Sequence, residues 1–192
     1  MKIMNLKYSN DPPKIEMKHP HLNWTDIWNK VQYECLDSKC RSFLWKLLQE
    51  LIIPQGRINE MNNKLPDKCK LCAESKSNLT HELFLCKHVK SSADVLVNAI
   101  KSIDPDATES SIVKLQWNSS DSLTDQSMVF LTGYILDQIW SYRKCNIKPD
   151  ADRIQSELAT DLLILRSSKF RNVAVQCETV LGPLGPTRTG IG

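Results

Sequence analysis

Several things are scarce in this sequence, and each shortage closes off a class of function. Of its six glycines only Gly56 and Gly133 precede residue 182, so the first 181 residues hold no glycine-rich loop of the kind that cradles phosphates or a dinucleotide. Histidine is scarce too, at four residues in 192, with His19 and His21 lying near the start, and no Ser or Cys nucleophile stands beside a base. Apolar runs are short. The longest, 128–140, is broken by Thr132, Gly133, Asp137 and Gln138, which excludes a bilayer span. Met1-Lys2-Ile3-Met4-Asn5-Leu6-Lys7 leads into polar residues and prolines, not into the apolar segment of a secretory signal. Charge of one sign is also lacking: 25 Lys and Arg against 22 Asp and Glu leave +3, a balance that neither demands nor forbids a polyanionic partner. An intracellular protein of the nucleus or cytoplasm, with no membrane and no small-molecule substrate as partner, is the expectation.

Cysteine is not scarce. There are seven, an odd number that argues for a reducing compartment and against a disulfide framework. Three of them fall in one stretch, Cys69-Lys70-Leu71-Cys72 and, after eight residues, His81-Glu82-Leu83-Phe84-Leu85-Cys86. Two thiolates two residues apart can grip one ion from a single turn, and a second pair returning after a short loop can complete a tetrahedron of three sulfurs and one imidazole nitrogen. That is the pattern of structural zinc. The alternative is a set of buried, unliganded thiols, but Asp67, Lys68 and Lys70 surround the first pair with charge and suit an exposed turn better than an apolar core. Four protein ligands leave no position for an activated water, so a structural ion is expected, not a hydrolytic one. One geometric demand follows from the spacing. His81 and Cys86 are five positions apart, which rotates them by roughly 140° on a straight α-helix, so one must leave the regular helix. A Thr80 N-cap with a loosened turn at Cys86 would meet the demand, and His88 stands near as an alternative ligand. Cys35, Cys40, Cys145 and Cys177 read as ordinary free thiols.

Apolar spacing predicts a mainly α protein: a small helical domain stapled by a CCHC zinc knuckle, followed by a C-terminal helical pair. Residues 1–21, with Pro12, Pro13 and Pro20, read as an extended leader. The zinc-binding domain is expected over 22–103. Its first helix carries Trp24, Ile27, Trp28 and Val31 behind a Thr25 cap. The clearest helix covers about 38–51, with Cys40, Phe43, Leu44, Leu47, Leu48 and Leu51 on one face. A short helix over 57–62 delivers the chain to the zinc turn, and another over about 89–103 follows it. Residues 104–122 read as a linker with a short apolar island that docks, and 123–172 as C-terminal helices opened by caps at Thr124 or Asp125 and at Pro149. The Gly/Pro-rich residues 173–192 are expected to form a disordered tail.

In order along the chain, Trp28, the Arg41-Ser42-Phe43-Leu44-Trp45-Lys46-Leu47-Leu48 helix, the turn around Ile58, Cys69-Lys70-Leu71-Cys72 and His81-Glu82-Leu83-Phe84-Leu85-Cys86 resemble the zinc-binding domain of non-LTR, LINE-type retrotransposon reverse transcriptases. Ile139-Trp140-Ser141-Tyr142-Arg143-Lys144 resembles the Trp-x-x-Arg segment often found after that domain. The likeness covers about 24–103 and, more weakly, 123–148. It departs from the family pattern after the last cysteine, where a tryptophan is common and this chain has Ala93, Val95 and Leu96. The resemblance implies Cys69, Cys72, His81 and Cys86 as ligands and a module that helps to hold template RNA or target DNA downstream of a polymerase.

Polymerase, endonuclease and RNase H motifs are absent from the sequence, and no clustered carboxylates offer two-metal chemistry, so no enzyme is expected. Charge distribution does point to a partner. From Lys39 to Lys90 ten basic residues face five acidic ones, a surplus of five. Lys68, Lys70, Lys76, Lys87 and Lys90, with Arg41 and Lys46 nearby, are the candidate contacts to the phosphates of RNA or of single-stranded or target DNA. Base-specific reading is not expected, because no helix presents the paired Arg and Asn side chains it needs. A zinc-stabilised structural or protein-interaction domain is the competing expectation, and a remnant open reading frame without a selected role is a third.

Overall fold

The computed structural model describes residues 14–73, 77–119 and 121–182. Within them the chain forms helices α1 (Lys14–Lys18), α2 (Trp24–Val31), α3 (Ser38–Leu48) and α4 (Gln55–Met61), then a π-helical turn (His81–Leu85). Helices α5 (Lys90–Lys101), α6 (Glu109–Val113), α7 (Ser122–Lys144), α8 (Ala151–Arg166) and α9 (Arg171–Leu181) follow. No β-strand occurs among the described residues, and no helix there is long and apolar enough to cross a membrane. The mainly α expectation holds.

Helix α7 is the axis of the molecule. Met128, Val129, Leu131, Ile135, Leu136 and Ile139 are completely buried, and a helix that is apolar nearly all round belongs at the centre of a bundle. Helices α2, α3, α5, α8 and α9 and the π-helical turn all pack against it. Gly133 sets the closest approach. A Cβ there would lie 3.1 Å from Leu44 Cδ1 and 3.4 Å from Cys40 Cβ, so the small residue lets α3 seat directly on α7. A buried polar hub ties α2 to the same helix. Lys30 Nζ lies 3.3 Å from Asp125 Oδ1 and donates to the Leu115 carbonyl, while Tyr33 and Trp117 donate to the same Asp125 carboxylate.

Three segments differ from the expectation. Residues 14–21 of the supposed leader are not extended. Helix α1 buries Ile15, and Glu16 accepts a 2.7 Å hydrogen bond from the Trp28 indole, so tertiary contacts order a stretch whose composition is polar. The 104–122 segment is not a linker between domains. It contains α6 and completely buries Ile112 and Leu115, and one continuous core runs from Ile15 to Cys177. Residues 173–181 are helical, not tail. Val173, Ala174 and Cys177 of α9 are buried against α7 and α8, and such small side chains leave a weak apolar stripe in the sequence while allowing close packing. The C-terminal pair is thus a trio. Residues 1–13, 74–76, 120 and 183–192 lie outside the described residues, and with them the first part of the leader, Lys76 and most of the Gly/Pro-rich stretch.

Caps also sit one or more residues upstream of their expected places. Asn23, not Thr25, accepts from the Asp26 N–H, and Asp121, not Thr124 or Asp125, accepts from the Thr124 N–H. In each case the side chain just outside the first turn reaches the N3 amide, which a residue already inside the helix cannot do.

Helix ends show how the chain copes with so little glycine. Glu50, Leu115 and Asn146 all have φ near 55°, and after each helix a six-to-one bond closes the turn: Leu51 N–H to the Lys46 carbonyl, Gln116 to Ser111 and Ile147 to Tyr142. These are Schellman ends built with residues that resist the left-handed conformation. The first of them stops α3 at Leu48, three residues short of the apolar pattern.

Candidate metal centre

The Cys/His cluster lies where α4, the 66–73 loop, the π-helical turn and the end of α7 meet. Asn78 opens the turn. Its Oδ1 accepts a 2.7 Å hydrogen bond from the His81 N–H, whereas Thr80, with φ −62° and ψ −44°, already lies inside the helix and makes no side-chain cap. The expected Thr80 cap is therefore displaced by two residues. The turn then closes through a 2.8 Å bond from the Cys86 N–H to the His81 carbonyl. That five-residue ring is wider than an α-turn and resolves the spacing problem: it brings His81 and Cys86 to the same side, where an α-helix would splay them.

All four sequence-predicted ligands converge. The ligand atoms of Cys69, Cys72, His81 and Cys86 lie within 4.8 Å of one another, with Cys69 Sγ to Cys86 Sγ at 3.8 Å and Cys72 Sγ to His81 Nε2 at 3.4 Å. Two thiolates on one tetrahedral ion at bond lengths near 2.3 Å stand about 3.8 Å apart, the separation of Cys69 and Cys86, so the cluster could hold a metal ion. Cys69 and Cys86 are almost fully buried, whereas Cys72 and His81 are each 9% exposed. His88, the alternative ligand, lies outside the cluster and directs its backbone N–H to the Cys86 sulfur.

Surroundings divide the thiols electrostatically. Burial alone raises a thiol pKa, and at Cys86 it does so, helped by the neighbouring Cys69 and Cys72 sulfurs, up to about 11. At Cys69 burial is outweighed by the Arg143 guanidinium, the backbone N–H groups of Cys72 and Leu71, and His81, which together hold the thiol down at about 6. Arg143 Nη2 donates to Cys69 Sγ at 3.4 Å and pairs with Glu82 Oε2 at 3.3 Å, both charged side chains being 5% exposed. Glu82 in turn accepts from the Gln55 N–H at 2.8 Å and from the Ser77 hydroxyl. Through these contacts Glu82 supplies, from 27 residues away, the cap that Pro54 cannot give α4. Neither Glu82 nor Arg143 was singled out as part of a site from composition or spacing. The resemblance marked the Trp140-x-x-Arg143 segment, and nothing in the sequence marked Glu82.

The fit between α4 and this loop is close. Gly56 donates its N–H to the Ser77 carbonyl at 3.0 Å, and a Cβ on Gly56 would come within 2.0 Å of that oxygen. No side chain larger than hydrogen fits there.

The predicted phosphate contacts do not share one environment. Lys68, Lys70, Lys87 and Lys90 are exposed around the cluster, Lys90 pairing with Asp94 at 3.0 Å. Lys46 is exposed on α3. Arg41 is turned inward, donating to the Tyr33 and Leu36 carbonyls at 3.2 and 3.3 Å. Among the thiols read as free, Cys35, Cys40 and Cys177 are buried and Cys145 is exposed. Comparison with protein-family models, with curated proteins and with solved structures finds no match to this chain.

Proposed function

We propose that the chain is a non-catalytic, zinc-stapled binding module of the kind found after the polymerase in non-LTR retrotransposon reverse transcriptases, and that it binds RNA or single-stranded DNA through phosphate contacts. The convergence of three sulfurs and one imidazole nitrogen within 4.8 Å carries the reading. Three thiolates and an imidazole in a tetrahedron favour zinc over the harder, oxygen-seeking cations. With four protein ligands the ion has no open position, so its role is to hold the turn, and no catalytic step is assigned to it. Lys68, Lys70 and Lys87 are exposed around that turn, where phosphates can reach them.

Metal analysis of the purified protein, combined with titration of RNA and single-stranded DNA at several salt concentrations, tests the reading. One zinc per chain and an affinity that falls as salt rises are expected. Affinity independent of salt, or a metal-free protein that is fully folded, would overturn it. A structural or protein-interaction module is the second reading, favoured by the burial of the cluster and of its Glu82–Arg143 support. Charge reversal of Lys68, Lys70, Lys76, Lys87 and Lys90 separates the two, since only the nucleic-acid reading requires binding that this change abolishes or weakens.

A further inference from the structure

Two clefts adjoin on the side of the molecule where the Cys69–Cys72 turn faces the end of α7. One, of about 200 Å³, lies between α3 and α7 and is lined by Phe43, Lys46 and Asp137 among others. The other, of about 260 Å³, lies between α4, the Cys69–Cys72 turn and α7, and reaches Lys70, Glu82 and Arg143. Trp140 and Lys144 line both. The half-buried Trp140 thus stands at the junction of a continuous groove.

Charge in this groove is one-sided once internal pairs are set aside. Asp137 is held by Lys39 at 2.8 Å and Glu82 by Arg143 at 3.3 Å. Lys46, Lys70 and Lys144 are exposed and have no ion-pair partner among the described residues. Below them Arg143, 7% exposed, leaves Nε and Nη1 without hydrogen-bond partners, while its charge is balanced by Glu82. Three uncompensated ammonium groups around an accessible indole form the combination that single-stranded nucleic acid requires: cations for successive phosphates and a flat surface for an unstacked base. A duplex offers the phosphates but keeps its bases stacked.

We infer that a single strand of RNA or DNA lies along this groove, its phosphates at Lys46, Lys70 and Lys144 and one base stacked on Trp140. The inference rests on the nucleic-acid reading above, and it moves the main contact from the outer lysines of the Cys/His turn to the groove. It also gives the metal turn a directional role, because Lys70 sits between the two cysteines and is aimed at the groove by the turn they form.

The test measures fluorescence anisotropy of the metal-loaded 192-residue chain with labelled oligo(U), oligo(dT) and a duplex of equal length, across a salt series. Lys46→Glu combined with Lys144→Glu is expected to weaken single-strand binding at least about tenfold and to reduce the log–log salt slope by about 1.4, or about 0.7 per phosphate contact. Trp140→Leu is expected to weaken it roughly tenfold and Trp140→Phe much less, because the phenyl ring retains a stacking face. Helicity and zinc content, measured on each variant, keep misfolding separate from lost contacts. Unchanged binding in the groove variants, with loss on reversing Lys68, Lys87 and Lys90, would overturn the groove and leave the nucleic-acid reading standing. Equal or tighter binding to the duplex would overturn the stacked base. No binding by the unaltered chain to any of the three would overturn both.

Discussion

Residues 55–88 and residues 122–181 hold themselves together by different means. The second region is a helical trio with apolar side chains buried along its length, Met128, Leu131, Ile135, Leu158, Leu162 and Ala174 among them. In the first, α4 buries only Gln55 and Gly56, and the loop beyond it is held by the Gly56–Ser77 and Ser77–Asp67 backbone bonds, the Gln55 contact to the Pro66 carbonyl and the Glu82–Arg143 pair. Apolar burial at roughly 25 cal/mol per Å² stabilises the trio together with the helices packed on it. With Leu83 and Phe84 of the π-helical turn its only large buried apolar side chains among the described residues, this stretch needs another source of stability, and a closed metal site is the natural one. The contrast predicts that the two regions respond oppositely to the same insult.

Removal of the ion should have the largest effect. Structural zinc contributes on the order of 10 kcal/mol of apparent binding free energy, so a strong chelator or Cys72→Ser should abolish hydrogen-exchange protection across residues 55–88 while the centre of α7 stays protected. Equal loss in both regions would make the contrast wrong, and no loss in either would remove the metal from the account. Next in size is the buried ion pair. Arg143→Met leaves the Glu82 carboxylate without its charge partner, and breaking such a pair typically costs about 3–5 kcal/mol. Denaturant unfolding of the metal-loaded protein should show it, and Glu82→Gln combined with Arg143→Met should cost less than the sum of the single changes.

Leu131→Ala, in the middle of α7, should cost about 2–5 kcal/mol by cavity formation, and it should do so with metal affinity unchanged, because the destabilised part lies away from the ligands. A parallel fall in zinc affinity would show that the regions are one cooperative unit. The smallest effect is expected at a helix end. Asn146→Gly relieves a residue with φ 55° on the exposed C-terminal turn of α7 and should stabilise by less than about 1 kcal/mol, a shift readable in the melting temperature. Thiol chemistry sharpens the picture further. With metal bound, a single rapid alkylation at exposed Cys145 is expected, since burial shields Cys35 and Cys177 and pushes their pKa values up to about 11 and about 12. More than one fast-reacting thiol would mean that the cluster cysteines are unliganded.

Much of this was legible before any coordinates. Helical periodicity located α2, α3, α5, α7 and α8, since each carries a stripe of large apolar residues, and the Cys69-x-x-Cys72 and His81/Cys86 spacing marked the four residues that converge. What escaped did so for physical reasons. Helix α9 relies on Val173, Ala174 and Cys177, too small to register as a strong stripe. The ends of α3, α6 and α7 use Glu50, Leu115 and Asn146 where glycine would have advertised the stop. Helix α1 is ordered by a tryptophan indole and a distant core, and the start of α4, expected at residue 57 and found at Gln55, by a carboxylate that reaches it from beyond the Cys/His loop. Contacts between residues distant in sequence leave no periodic mark, which is why Glu82, and the tie of Arg143 to Glu82 and Cys69, came to light only when the chain was folded.

Arg143 occupies the last turn of the central helix, one residue before Lys144 and in contact with the Cys69 sulfur. With an ion in the cluster, a shift of that turn withdraws a positive charge from a ligand atom, and a change at that atom acts back on the turn. Reciprocity then requires equal exchange in both directions. Whatever tightens on the C-terminal end of α7 changes retention of the ion by the factor with which the ion changes its own hold.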